Sequence, residues 1–211
     1  MSEARSPARE ALAAGLPVAL VAVLALAAWW LLSATVYAGK AYLFPGPQAV
    51  GAAVVENATT LGVATLITLK EASLGYLAAI VIGVLLAAVM SQSRLIERSL
   101  YPYAVLLQTV PVVAVAPLIV LWFGYNELSV VVISFVMALF PIVNNTLLGL
   151  RSTSRTLVEL FALHNKSRVT GFWKLRLPSA LPSIFAGLQI SAGLSVIGAI
   201  VGEFIIGSGN T

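Results

Sequence analysis

Glu203, near the outer end of the last long apolar run, is the one carboxylate that falls inside any such run of this chain. A carboxylate left charged in hydrocarbon is costly, so such a group either works, by titrating or by holding a partner, or sits at the water boundary and serves packing. The sequence leaves both readings open. Uncharged polar residues recur inside other runs: Gln108 and Thr109 in one, Asn144, Asn145 and Thr146 in the next, and Gln189, Ser191 and Ser195 in the last. Such groups line a polar path or hydrogen-bond helix to helix, and the second use is the commoner for any single residue. Pro111 and Pro117 free backbone carbonyls within one run. A helix broken at membrane depth is tolerated only against protein or a water-filled cavity, so this stretch is the candidate wall of a path.

Other chemistry is excluded by what is missing. There is no Cys and no Asp, and His164 is the only histidine, so neither a thiol nucleophile nor a metal-ligand cluster can be assembled. No Gly-x-x-x-x-Gly-Lys-Ser/Thr loop is present to cradle nucleotide phosphates, so any energy source lies in another subunit. No cofactor is expected in this chain. An intramembrane hydrolase is unsupported.

The elements that must position these residues follow from composition. Of 211 residues, 60% are hydrophobic and 9% charged, with a mean hydropathy of +0.99. So few polar groups cannot solvate a water-exposed surface, which places the chain in a bilayer. The apolar runs at about 11–39, 72–93, 99–126, 128–150 and 177–206 are each long enough to cross ~30 Å of hydrocarbon as a helix. They lack the period-two alternation of a barrel strand. The expected fold is an all-α, polytopic transmembrane helical bundle forming one domain over 1–211. The recurrence of Gly187, Ser191, Ser195 and Ala199 every four residues, with Gly198 and Gly202 beside them, predicts close helix packing with a partner in the same chain or in a second copy.

Basic residues set the orientation. One set of loops holds Arg5, Arg9, Arg94, Arg98, Arg151, Arg155, Lys166, Arg168, Lys174 and Arg176, and the other only Lys40 and Lys70. This asymmetry predicts a cytoplasmic N-terminus. The first run is too long for the apolar core of a cleaved signal. The basic residues are scattered between apolar runs, which speaks against nucleic-acid binding. Between the first two crossings, Phe44-Pro45-Gly46-Pro47 marks a turn, and Val50, Ala53, Val54 and Asn57 follow with helical spacing. That pattern predicts an amphipathic helix on the outer membrane surface, with Trp29 and Trp30 as interface anchors.

The interval 151–176 is the longest and most charged between crossings. Ser154 is a good N-cap, and Leu157, Leu160, Phe161 and His164 fall on one face of the helix it would start. Ser167 can cap a second helix running through Trp173 and Leu175, set at an angle to the first, before Pro178 and Pro182 begin the next crossing. From periodicity alone, an amphipathic connector lying on lipid phosphates is an equal alternative.

Glu159, then Asn165, then Leu175-Arg176-Leu177-Pro178 reproduces the spacing of the Glu-Ala-Ala loop of ABC importer permeases. Thr68-Leu69-Lys70, Leu121-Trp122-Phe123-Gly124, Phe140-Pro141 and Leu181-Pro182 with Gly187-Leu188 look similar as well. From about residue 68 onward the chain resembles the nitrate, taurine and sulfonate type of permease. The stretches 176–182 and 196–203 look more like the pyrimidine-precursor or riboflavin subgroup. Leu160 and Phe161 stand where the family has Ala-Ala, and Asn165 where it has Gly. Asn is the next-best residue in a left-handed backbone, so the second departure is mild. The first implies a wider groove on a dedicated ATPase.

The resemblance implies a type I ABC importer permease of the bacterial inner membrane. It would work with a second permease chain, an ABC ATPase dimer that binds ATP and magnesium, and a periplasmic or lipoprotein solute-binding protein. It also implies that Glu159, Leu160, Phe161, Asn165, Arg168 and Pro178 form the ATPase-coupling site; the polar groups and prolines within the runs leave Gln108, Thr109, Pro111, Pro117, Asn144, Asn145, Gln189 and Glu203 as candidates for the path. Such permeases finish with one further crossing, so the run Gly207-Ser208-Gly209-Asn210-Thr211 reads as the start of an outer loop with the last family helix missing. The rival from another class is an ion-coupled secondary transporter with Glu203 as its titrating group. It would want more buried ionisable groups and a repeated half.

Overall fold

The computed structural model describes residues 7–164 and 167–207, and among them every regular element is helical. In chain order these are α1 (Pro7–Ala34), α2 (Pro47–Glu56), α3 (Ala58–Gln92), α4 (Arg94–Thr109), α5 (Val112–Phe123), α6 (Glu127–Arg151), α7 (Arg155–His164), α8 (Arg168–Gly171), a π-helical segment (Phe172–Arg176) and α9 (Leu177–Ile206). The chain divides into two compact units, 1–63 and 64–211, with α3 starting in the first and continuing through the second.

In the first unit, α1 exposes almost every side chain it presents between 15 and 34, as a helix solvated by lipid does. It stops at Ala34 rather than near 39. There the Ser33 and Thr35 hydroxyls donate to the carbonyls of Trp30 and Leu31, and the chain turns through Gly39 at φ +82°. Trp29 Nε1 donates to the Pro45 carbonyl at 3.1 Å, so this indole ties the Phe44–Pro47 turn back onto α1. The helix expected around Val50 and Ala53 is α2, and it is short. Asn57 ends it by sending both its backbone N–H and its Nδ2 to the Ala53 carbonyl.

The chain from 58 onward departs from the expectation of a surface segment reaching to residue 69. α3 is a continuous helix of 35 residues, and Lys70 and Glu71 lie within it. Counting charges along the sequence stops the crossing at Lys70, but three-dimensional pairing does not: Lys70 Nζ reaches Glu127 at 2.6 Å.

In the second unit α6 is the central strut, with α3 and α9 laid along it. A Cβ at Gly198 would sit 2.7 Å from Ser134 Cα, and one at Gly187 would sit 2.9 Å from the Pro141 carbonyl. The small-residue stripe of α9 therefore has its partner in the same chain, namely α6. Ser191 Oγ donates to the Ala138 carbonyl at 2.7 Å, and Ser134 Oγ to the Ser195 carbonyl at 2.8 Å, so the hydroxyls buried by this close approach are satisfied. α3 uses the same device, with Gly75 against Ser134 and Gly83 against Ile142.

Two sets of polar contacts mark the ends of the bundle. Arg151, at the end of α6, pairs with Glu97 in the first turn of α4. At the other end of α6, Glu127 holds Lys70, and nearby Thr68 Oγ1 donates to Glu203 at 2.7 Å. α4 thus leaves from the Arg151 end, and α5 finishes just before α6 starts at the Glu127 end. Together α4 and α5 carry the chain across, although they meet at 102°. Among the described residues α1, α3, α6 and α9 are each long and apolar enough to cross a membrane, and the bent α4–α5 pair makes a fifth passage when taken as one.

Candidate functional site

The Arg151 end carries the polar loop. Ser152 caps α6, its N–H bonding the Leu148 carbonyl at 2.9 Å. α7 then begins with the Val158 N–H on the Ser154 carbonyl at 3.1 Å. Glu159 lies on the exposed side of α7, where Arg155 Nε donates to its Oε1 at 3.0 Å across one turn. Leu157, Leu160 and Leu163 are 48%, 53% and 81% exposed. Among the described side chains of the helix, Val158 and Phe161 are half-buried.

The inward face is therefore turned from the one expected. Phe161, unlike the exposed Leu160, is half-buried, and its ring lies over α8, 3.7 Å from where a Cβ on Gly171 would be. That is ordinary packing distance, so the ring rests on α8 without straining it. Ser167 caps α8, its Oγ accepting from the Thr170 N–H at 3.4 Å. Arg168 is the first residue of α8. Asn165 lies outside the described residues.

The second helix of the loop is not a separate element running through Trp173 and Leu175. The four residues of α8 widen into the π-helical segment, which continues into α9. Pro178, the second residue of α9, has no N–H to give Lys174. The Leu177 N–H instead bonds the Phe172 carbonyl, the longer π spacing, and Ser179 Oγ takes the Leu175 carbonyl at 2.7 Å. The Leu177 bond keeps the loop helically joined to α9 across the proline.

The second region is the break between α4 and α5. Val110 is extended (φ −79°, ψ 124°), as a residue before proline prefers, and Pro111 caps α5. Pro117 breaks nothing. It lies inside α5, which is held helical by Ala116 and Ile119 packed with Ile133 of α6. At the break is a cavity of about 420 Å³, lined by residues including Gln108, Pro111, Val115, Met137 and Leu194. None of its lining residues is charged, and Gln108 supplies its amide.

The other path candidates do not converge there. Thr109 Oγ1 is spent on the Leu106 carbonyl at 3.0 Å. Asn144 Oδ1 accepts from Tyr101 OH at 2.9 Å, pinning α4 to α6. Asn145 Nδ2 donates to the Pro141 carbonyl at 2.9 Å within α6, and Gln189 is on an exposed part of α9. Glu203 belongs to the Glu127 end and is not the sole carboxylate in the bundle. Glu71 is only 4% exposed, with one carboxylate oxygen buried and unpartnered, and its charged neighbours are Glu203, Glu127 and Lys70. Sequence reasoning missed Glu71, though a signal exists: Gly75, Ala79, Gly83 and Ala87 form a buried stripe every four residues, and Glu71 is the next position back.

Residues 79–211 match the family of binding-protein-dependent transport system inner membrane components. The chain is 40% identical over 177 residues to the formylaminopyrimidine transport permease protein ThiX of Halalkalibacterium halodurans, covering 83% of this chain and 70% of that one. It is 34% identical to the riboflavin transport system permease protein RibX of Chloroflexus aurantiacus, over 92% of this chain and 72% of that one. With the putative aliphatic sulfonates transport permease protein SsuC of Bacillus subtilis it shares 33% identity, over 66% of this chain and 50% of the relative.

Proposed function

The chain belongs to the binding-protein-dependent transport system inner membrane components, the permease subunits of ABC importers, and from that membership we propose that α7 couples it to a separate ATPase and that its cargo is a small neutral heterocycle. The observation that carries the coupling reading is that Leu157, Leu160 and Leu163 stand exposed on a short helix beyond the Arg151 end of the bundle. Through α8 and the π-helical segment this helix is tied to α9, so a push on α7 reaches a membrane-crossing element. Glu159 presents a carboxylate beside them for a basic group of the ATPase. Arg168 and Asn165 complete the loop in this reading.

The basic end faces the cytoplasm on this account, because Arg94, Arg98, Arg151, Arg155, Lys174 and Arg176 cluster there while Lys70 lies at the opposite end of α6. The N-terminus is then cytoplasmic and the membrane is the bacterial inner membrane. Two permease chains pair around a central path, a solute-binding protein delivers cargo at the Glu203 end, and two ATPases, which bind ATP and magnesium, grip α7. Transport is vectorial only if nucleotide state favours one opening of the path over the other.

The cargo reading rests on the uncharged lining of the cavity at the α4–α5 break. A nitrate or sulfonate would be desolvated there with no counter-charge, whereas a flat ring can bury its faces and use the Gln108 amide. Formylaminopyrimidine and riboflavin, the cargoes named for two relatives, are rings of this kind. The test is uptake and ATPase co-purification at matched membrane expression. Leu160→Ala should weaken the complex by ~1–2 kcal/mol, from the apolar area withdrawn, and Glu159→Lys should abolish uptake. Wild-type values for both would reject α7 as the coupling element.

A further inference from the structure

At the Arg151 end a cavity of about 560 Å³ opens between the end of α3, the α3–α4 turn, the end of α6 and the start of α7. Four arginines are among the residues that line it, Arg94, Arg151, Arg155 and Arg176. Two carboxylates answer them: Glu97 pairs with Arg151, and Glu159 with Arg155. Among the described residues no carboxylate pairs with Arg94 or Arg176, so the cavity carries a surplus of two positive charges.

Two further features point to an oxygen-rich anion. Thr153, another lining residue, has a buried hydroxyl with no hydrogen-bond partner. α4, a helix of 16 residues, opens its N-terminal turn here behind its capping residue Ser93, and the partial positive charge of that turn adds to the arginines. A planar guanidinium pair with a hydroxyl donor beside it matches the tetrahedral oxygens of a phosphate.

We propose that this cavity binds a phosphate group, carried by the headgroup of an anionic phospholipid or supplied free. The rim favours the lipid source. Leu95, next to Arg94, is 75% exposed, and Trp173, three residues before Arg176, is 62% exposed, so the charged cavity is flanked by apolar surface on which acyl chains can lie. The cavity is also built from the ends of three passages through the membrane, the depth at which headgroups sit. A phosphate here would tie α3, α4, α6 and α7 together at the root of the coupling loop.

The full chain, purified in mild detergent, is mixed with phosphatidylglycerol or with phosphatidylcholine of the same acyl chains, and bound lipid is counted by native mass spectrometry. One phosphatidylglycerol should be retained at a lipid concentration lower by about tenfold than that needed for phosphatidylcholine. The double variant Arg94→Gln/Arg176→Gln should lose that preference, and Arg94→Lys/Arg176→Lys should keep most of it. Excess inorganic phosphate separates the sources: failure to displace the lipid assigns the site to the headgroup, and displacement with a phosphate adduct assigns it to the free ion. Should the Gln variant not fold, the comparison of the two lipids on the unaltered chain still decides. Equal retention of both lipids, with no phosphate adduct, overturns the proposal and leaves an acidic side chain of the ATPase as the group these arginines receive.

Discussion

A methyl group at position 198 would lie 2.7 Å from the Cα of Ser134, closer than side-chain carbons come to backbone in a packed protein. Gly198→Val should therefore force α9 off α6 and destabilise the bundle by roughly 1–3 kcal/mol, lowering the temperature at which the purified chain aggregates. Gly193 lies on the same helix with nothing within 4 Å of its Cβ position, so Gly193→Ala should leave that temperature unchanged or raise it. At this scale the α9 stripe was legible in the sequence, because spacing alone shows which small residues share a face. What they face was not, since the choice between α6 and a second copy depends on backbone approach. Glu71 escaped for a related reason: read linearly it is a charge that ends a crossing, and only the pairing of Lys70 with Glu127 lets the helix run on past it. The path amides showed their composition in the sequence but not their partners. Asn144 and Asn145 are half-buried, and each commits one amide atom to the bundle, to Tyr101 and to the Pro141 carbonyl.

Two prolines of the same passage behave differently, and the difference belongs to the elements around them. Pro111 follows an extended Val110 and turns the chain by 102°, whereas Pro117 rides within α5. Pro111→Ala restores one backbone donor and removes the constraint on Val110, so α4 and α5 should move towards a straight helix and close the cavity beside Gln108. Uptake should fall at least several-fold with membrane insertion intact, while Pro117→Ala should transport normally. Equal effects of the two would show that the break does not shape the path. That a break would occur here was legible from proline chemistry; which proline makes it was not, because the packing of Ala116 and Ile119 decides it. In the loop the same limit applied. The amphipathic helix and the Ser167 cap could be read from side-chain types. The turning of Phe161 onto Gly171, and the π-helical join to α9, arise from contacts and missing N–H groups that periodicity does not register.

For the molecule as a whole, an apolar bundle, a break holding an uncharged cavity and an exposed helix at the basic end make up one permease, which in the proposed function an ATPase drives from the loop. That the chain is built of long apolar helices was legible from composition alone, since lipid solvation leaves little freedom there. The central claim is that α7 is the surface the ATPase holds. The chain contains no cysteine, so a single one reports one position without background. The measurement is photo-cross-linking of the assembled transporter from a benzophenone attached to Leu160→Cys or Leu163→Cys on α7, with Val81→Cys on the exposed side of α3 as the reference. The account predicts an adduct with the ATPase from positions 160 and 163 and none from 81. An ATPase that co-purifies with the chain but is never cross-linked from either α7 position would contradict it.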